Sequence, residues 1–485
     1  MSMSAYKIND EKYIAGQWLK GTSTHVIENI NPYNQEIILK LHAASIIDVD
    51  SAYAAAQKSF FSWSSTAAEQ RKKLVVNVAE VVKTRREEII DWLIQESGST
   101  RLKVSLEVDA ALSIIQEAAT FPQRMMDSKL KSLDPERSSW VYRKALGVIA
   151  VISPWNFPFH LSMRSVITAI AIGNTVVLKP ASDTPVTGGL LLAKIFEEAG
   201  LPSGVLNVVA GVGSEIGDYF VEHDVPKLIS FTGSTEVGKR VGQLAIASNN
   251  LKRLALELGG NAPLVVLDDA DLDLAVELTV MGRFLHQGQI CMSTNRVIVD
   301  ANIYDRFVEK LVQRVGLIEI GDPAQETTLI GPIINSSQVD KIKKIIELAE
   351  QAGIKLIVKV EIKGNLVPPH IFIDVDPSSS LAQEESFAPI LPVIKAQNEA
   401  HALELANDTR FGLSSAVCTQ DNERGVQFAL KIEAGMTHIN AITVADQANA
   451  PFGGEKNSGL GRFNGQWILE EFSRTHWVTR PKIKS

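Results

Sequence analysis

Between residues 69 and 95 the apolar positions recur three and four apart. Leu74, Val75, Val78, Val81, Val82, Ile89, Trp92 and Leu93 share one face and Lys, Arg and Glu the other, which predicts an amphipathic helix. After Gly147 the pattern changes. Short β-branched runs occupy residues 148–152, 175–178, 205–209 and 228–231, separated by helical stretches such as 188–199 and 236–247. Strands that are apolar on both faces and alternate with helices predict a parallel sheet covered on both sides. A second series begins near Pro263, with strands over 264–267 and 296–299 and helices over 272–285, 304–315 and 339–351. The two series meet at Gly259-Gly260, the expected boundary between domains. The tail 472–478 alternates apolar and polar residues as a half-buried strand does, placed either at a local edge or in another subunit's sheet. The fold class is α/β.

The near-apolar run 165–178 is shorter than the roughly 20 residues a membrane span needs, and Arg164 and Lys179 close it. It reads as a buried helix followed by a buried strand. A chain of 485 residues, 45% of them hydrophobic, has room for two or three cores. The net charge of -8, with Lys and Arg spread along the chain, gives no basic face for nucleic acid. Two cysteines do not make a disulfide framework, and the N-terminal segment lacks the apolar core of a signal peptide, so a cytoplasmic location is expected. No metal site is expected.

Cys291 lies in His286-Gln-Gly-Gln-Ile-Cys-Met-Ser293, a polar, Gly-containing turn between a predicted helix and a predicted strand. That setting suits a reactive thiol, which needs a lowered pKa or a nearby base; a structural cysteine at a helix end fits as well. Cys418 sits in a strand-like run and reads as core. Glu257, in Leu254-Ala-Leu-Glu-Leu-Gly-Gly-Asn261, is a carboxylate in an apolar strand, costly without a task or a partner. It reads either as a general base or as a strand-end residue facing water. Phe231-Thr-Gly-Ser-Thr-Glu-Val-Gly-Lys239 runs from a strand through glycine into a helix, a start able to hold a pyrophosphate. Gly211-Val-Gly213-Ser-Glu-Ile-Gly217 is one residue longer than the dinucleotide pattern. Lys179 ends a buried strand, where ligands bind in open α/β sheets, and Asn156 sits in the rigid loop Ser153-Pro-Trp-Asn-Phe-Pro158, able to donate to an oxyanion.

Taken in order, these segments resemble the aldehyde dehydrogenase superfamily. They are Pro154-Trp-Asn-Phe-Pro, Lys179-Pro, the 231–238 run, Leu256-Glu-Leu-Gly-Gly, Gly288-Gln-Ile-Cys, Glu385-Ser-Phe, and Pro451-Phe-Gly-Gly with Lys456, Ser458, Gly459, Gly461 and Arg462. The resemblance implies a Rossmann-like NAD(P)-binding domain over 1–122 and 146–257 and an α/β catalytic domain over 258–465. It implies a small β oligomerisation arm over 123–145 and 466–485, and a homodimer or homotetramer. It implies oxidation of an aldehyde to the acid with NAD or NADP. Cys291 forms a thiohemiacetal and then a thioester, Asn156 and the Cys291 N–H steady the oxyanion, and Glu257 activates water. Cofactor contacts carried over are Trp155, Lys179, Ser182, Gly213, Gly233, Ser234, Gly238, Leu258, Glu385 and Phe387. Positions lining the substrate tunnel are Phe157, His160, Leu161, Arg164, Ile290, Met292, Asp446 and Phe452.

Ser182 stands where many NAD-preferring members carry glutamate, which predicts that NADP is tolerated. Ala388 replaces a usual glycine and stiffens its loop. The stretch Asn156-Phe-Pro-Phe-His-Leu-Ser-Met-Arg164 looks like bacterial benzaldehyde- and vanillin-type enzymes. A CoA-acylating type is disfavoured by the presence of Glu257, and a silent structural or binding homologue by the complete Cys291, Glu257, Asn156 and Lys179 set.

Overall fold

The computed structural model describes residues 5–482. Two sheets dominate it. In the first, five parallel strands lie in the order Leu206–Val208, Thr175–Lys179, Val148–Ile152, Leu228–Thr232 and Arg253–Glu257. The chain starts at the central Val148–Ile152 strand, builds outward on one side, then returns to build on the other. The strand order therefore reverses between Val148–Ile152 and Leu228–Thr232, and a crevice opens there at the carboxyl ends. Antiparallel strands extend both edges: Lys12–Ile14 with Gln17–Leu19 on one side, and Gly459–Leu460 on the other. The last is a finding against expectation, because a segment from the second half of the chain completes the first sheet.

The second sheet has the order Lys355–Val358, His370–Ile373, Ile390–Ala396, Thr294–Asp300, Ala262–Val266, Ser414–Cys418 and Met436–Ile439, parallel except at Lys355–Val358. Every residue of Thr175–Lys179, Ala262–Val266 and Thr294–Asp300 is buried, which is why the stretches 176–178, 264–266 and 297–299 within them are apolar without alternation. The chain crosses between the sheets at Leu258-Gly259-Gly260-Asn261. Cys418 is buried within its strand, as expected.

The helix Pro158–Ile172 begins with Pro158, which suits a first turn, and ends at Gly173, whose φ of 103° is open to glycine. All its residues are buried, including His160 and Arg164. The predicted helix over 69–95 is two helices, Ala68–Thr84 and Arg86–Ser97, broken at Arg85. The apolar stripe survives the break because Val82 and Ile89 both reach the same core. A third, small antiparallel sheet joins Ser128–Leu130, Arg137–Ala145 and Ser473–Pro481. Within the chain the C-terminal strand is thus a local edge, nine residues paired with Arg137–Ala145, and it leaves Trp477 66% exposed. Among the described residues no helix is long and apolar enough to cross a membrane, and no group of three His, Cys, Asp or Glu side chains is placed to hold a metal.

Candidate active site

The crevice between the two central strands of the first sheet opens toward the amino ends of strands in the second. Ile152 leads into Pro154, Trp155 and Asn156, and Thr232 into Gly233 and Ser234; Glu257 ends the next strand. From the other side come Cys291, three residues before the strand Thr294–Asp300, and Glu385 and Phe387, just before Ile390–Ala396. These residues line one cavity of roughly 230 Å³. Leu258 and Gly259 close it where the chain crosses between sheets. Gln338 and Lys341, on the helix Ser336–Gln351, close it on a side that the sequence reading missed.

At its base the Cys291 Sγ donates to Glu257 Oε1 at 2.8 Å. The other oxygen, Oε2, accepts from Arg164 Nη2 at 2.8 Å, and both partners of this ion pair are 0% exposed. Glu257 is therefore no strand-end residue facing water. Burial, with the Glu257 and Glu385 carboxylates nearby, pushes the Cys291 thiol well above its ordinary range, and only Arg164 opposes this. The resting sulfur holds its proton and points it at a base. Gly260 is required here, since a Cβ would lie 2.2 Å from the Cys291 carbonyl oxygen.

The nucleophile loop is strained. His286, Gln287 and Gly288 have φ of 52°, 59° and 74°. The Asn156 amide braces it, donating from Nδ2 to the Gln289 carbonyl at 2.9 Å. Asn156 is itself fixed from behind by the Lys103 ammonium, which donates to its carbonyl oxygen and pairs with Glu107. Glu107 Oε1 accepts from the Phe159 and His160 amides at 2.9 and 3.2 Å. Lys103 and Glu107 are fully buried, four apart on the helix Arg101–Ala118. The sequence carried a signal for them, two opposite charges inside an apolar helix face with Val104, Val108 and Ala111.

Around the cavity, Glu385 Oε1 accepts from the Gly260 N–H at 2.9 Å. Burial raises its pKa to about 7, with the Glu257 charge adding and Gly260 and Arg283 opposing. Phe387, at a φ of 48°, meets Trp155 edge-on at 5.5 Å. The buried Arg283 guanidinium holds their loop by donating to Ser386 Oγ and to the Ala388 carbonyl. Ser234 caps the helix Thr235–Ala247, accepting from the Val237 N–H at 3.4 Å. Lys179 is buried, which lowers its pKa to about 8. Ser182 lies outside this cavity, in a neighbouring one of roughly 480 Å³ with Asp183, Val212 and Asn335; its Oγ reaches only the Gly211 carbonyl, at 3.5 Å. Gly238 is a packing glycine, since a Cβ would meet Leu258 Cδ2 at 2.2 Å, and a Cβ on Gly213 would meet nothing.

Of the eight tunnel positions, His160 and Asp446 line a further cavity of roughly 450 Å³, with Ser113, Gln116 and Gln447 among its walls. Arg164 stands over the rings of Phe452 and Phe463, at 4.7 and 4.2 Å. Ile290 and Met292 flank Cys291 and are buried, as are Leu161 and Phe452. Phe157 packs edge-on to His286 under the Lys103 ammonium.

The family model described as "Aldehyde dehydrogenase family" matches residues 18–478. The chain is 55% identical over 465 residues to a vanillin dehydrogenase of Corynebacterium glutamicum, covering 96% of each. It is 46% identical over 477 residues to the benzaldehyde dehydrogenase YfmT of Bacillus subtilis, covering 98% of each. It superimposes on the crystal structure of an NAD-dependent benzaldehyde dehydrogenase from Corynebacterium glutamicum with a TM-score of 0.91 and 51% identity, covering 99% of this chain and 98% of that one.

Removing one partner of a buried ion pair strands the other charge. Arg164→Leu is expected to lower the free energy of unfolding by about 3–5 kcal/mol. The double variant Arg164→Leu/Glu257→Leu recovers most of that loss, because no unpaired charge remains. Denaturant titration of the three proteins checks this; strictly additive losses would contradict it.

Proposed function

This chain belongs to the aldehyde dehydrogenase family and is an oxidoreductase acting on the aldehyde group with NAD, and we propose that it oxidises aromatic aldehydes to carboxylic acids with Cys291 as nucleophile and Glu257 as base. The observation that carries the assignment is the 2.8 Å contact between Cys291 Sγ and Glu257 Oε1 in the crevice between the sheets. The aromatic preference rests on the vanillin and benzaldehyde relatives.

The thiol passes its proton to Glu257 as sulfur attacks the aldehyde carbon. The second hydrogen of the Asn156 amide and the Cys291 backbone N–H stabilise the oxyanion of the thiohemiacetal. NAD(P) supplies the hydride acceptor. Loss of hydride from the thiohemiacetal carbon leaves a thioester, Glu257 releases the thiol's proton to solvent, and the freed carboxylate then takes a proton from the water that releases the acid. The residues fit a dinucleotide. Gly233 and Ser234 open a helix start for the pyrophosphate, Lys179 and Glu385 offer partners to ribose hydroxyls, and Leu258, Trp155 and Phe387 offer apolar walls. Gly238 lets its helix pack against Leu258 without bulk, and Gly213 opens the helix Gly213–Glu222 with free space where a Cβ would stand. Residues 1–122 and 146–257, with Gly459–Leu460 completing their sheet, form the cofactor part, the rest of 258–465 the catalytic part, and 123–145 with 466–485 an arm through which two or four copies associate. Trp477 and Leu130, both exposed on that arm, support its role as a contact surface.

Cys291→Ala is expected to abolish aldehyde oxidation while NAD(P) still binds, and Cys418→Ala to keep turnover near that of the parent chain. Initial rates with fluorescence titration of the cofactor decide it, and equal losses in both variants would sink the assignment.

Ser182 sets the tolerance for NADP. A carboxylate beside a 2′-phosphate costs on the order of 1–3 kcal/mol, about 5- to 150-fold in affinity, and serine avoids this. The parent enzyme is therefore expected to turn over with both cofactors. Ser182→Glu shifts preference toward NAD by raising the KM for NADP. An unchanged ratio of kcat/KM for the two cofactors would show that the choice is made elsewhere.

A further inference from the structure

The helix Arg101–Ala118 buries two opposite charges to which the chemistry above gives no part. The rest of its buried face is apolar, with Val104, Val108, Ala111, Ile114, Ile115 and Ala118. Lys103 and Glu107 stand four apart on that face as an ion pair, both 0% exposed. A buried ion pair is a poor source of stability, since apolar residues of similar volume often pack as well without the desolvation cost. What it can supply is placement, and the outward contacts of this pair fall on one short loop.

An ammonium has three hydrogens to place, and Lys103 meets three partners. They are Glu107, the Asn156 carbonyl at 2.6 Å and the Phe157 ring, whose centroid lies 4.0 Å from Nζ. Glu107 Oε1 accepts from the Phe159 and His160 amides at 2.9 and 3.2 Å. Asn156, Phe157, Phe159 and His160 are thus held by two side chains, and Pro158 between them is stiff by itself. Neither Lys103 nor Glu107 lines the cavity at Cys291.

Asn156 hangs from this clamp. One hydrogen of its amide is taken by the Gln289 carbonyl at 2.9 Å, in the loop that carries Cys291. The other is the oxyanion donor. With the backbone carbonyl anchored on one side and the amide on the other, that hydrogen has a single direction. A donor stabilises an oxyanion best when it is aimed before the charge develops, and a misplacement of about 1 Å can cost on the order of a hundredfold in rate.

We propose that Lys103, steadied by Glu107, is a positioning residue that aims the Asn156 amide at the oxyanion, so that formation of the thiohemiacetal depends on a charge outside the reaction cavity. This rests on the reading of Asn156 as the oxyanion donor given above.

The test is a double-mutant cycle with Asn156→Ala. Two changes are made at the clamp. Lys103→Met strands Glu107; Lys103→Met/Glu107→Gln leaves no buried charge, and the new amide oxygen still accepts from the Phe159 and His160 N–H groups. Fluorescence titration with NAD gives the Kd and counts the binding sites, so that unfolded chains drop out of every rate. In both clamp variants kcat/KM for benzaldehyde is expected to fall by about ten- to a hundred-fold, with the Kd for NAD as in the parent. Asn156→Ala alone is slower by about a hundred- to a thousand-fold. In that background the clamp changes leave kcat/KM nearly unaltered, because no amide remains to be aimed. Equal fold-losses in both backgrounds show that the pair only supports the fold and overturn the proposal. So does a parent-like rate per site in the charge-free variant, or failure of both clamp variants to bind NAD. An Asn156→Ala enzyme as fast as the parent removes instead the oxyanion reading on which the proposal rests.

Discussion

The site depends on one buried charge pair. Arg164 and Glu257 are taken wholly out of water, a costly arrangement unless each is held by the other and by further contacts. Glu257 is held at the end of a parallel strand and Arg164 in the middle of a helix in which every residue is buried. The pair therefore ties the first sheet to the helix that lies over it. The carboxylate's second oxygen is left for Cys291. A thiol that burial would otherwise make inert is given a base within hydrogen-bond distance.

The geometry around that pair follows from topology. Reversal of strand order at Val148–Ile152 and Leu228–Thr232 opens a crevice where the chain cannot fill it with its own connections. The loops at that point, carrying Asn156 and Ser234, face those that enter the second sheet, carrying Cys291 and Glu385. Such loops are strained, as the positive φ of His286, Gln287 and Phe387 shows, and buried polar groups over-determine them: Lys103 with Glu107 behind Asn156, and Arg283 behind the Glu385–Phe387 turn. Two networks of buried charge thus fix the loops that bear the chemistry, one on each side of the crevice.

Much of this was legible in the residues. Unbroken β-branched runs placed the strands at Val148–Ile152 and Leu228–Thr232, because parallel strands are buried on both faces. The helix Tyr304–Val315 announced its own ends through its period. Ordered motifs brought Cys291, Glu257 and Asn156 together on paper. Other features were not legible. The strands Lys12–Ile14 and Gln17–Leu19 are three residues each, too short to show a period. Gly459–Leu460 joins the first sheet by a pairing across some two hundred residues of chain, which no local pattern reports. Arg164 was read as a tunnel position, and its ion pair with Glu257 depends on how a helix rests on a sheet. The break at Arg85 was hidden because both helices present apolar residues to the same core.

The central claim is that the acyl group is carried on Cys291 and released by Glu257. Its most direct test is to quench the enzyme with acid during turnover of an aromatic aldehyde with NAD and to weigh the Cys291 peptide. In Glu257→Gln, where the thiol must lose its proton to solvent, the account predicts that the acyl adduct on Cys291 forms more slowly than in the parent but then persists, rising to close to one per chain with about one equivalent of reduced cofactor and little turnover thereafter; the parent enzyme acylates faster and shows a smaller standing fraction. Absence of an adduct on Cys291 in both proteins, or steady turnover in Glu257→Gln equal to that of the parent, would contradict it.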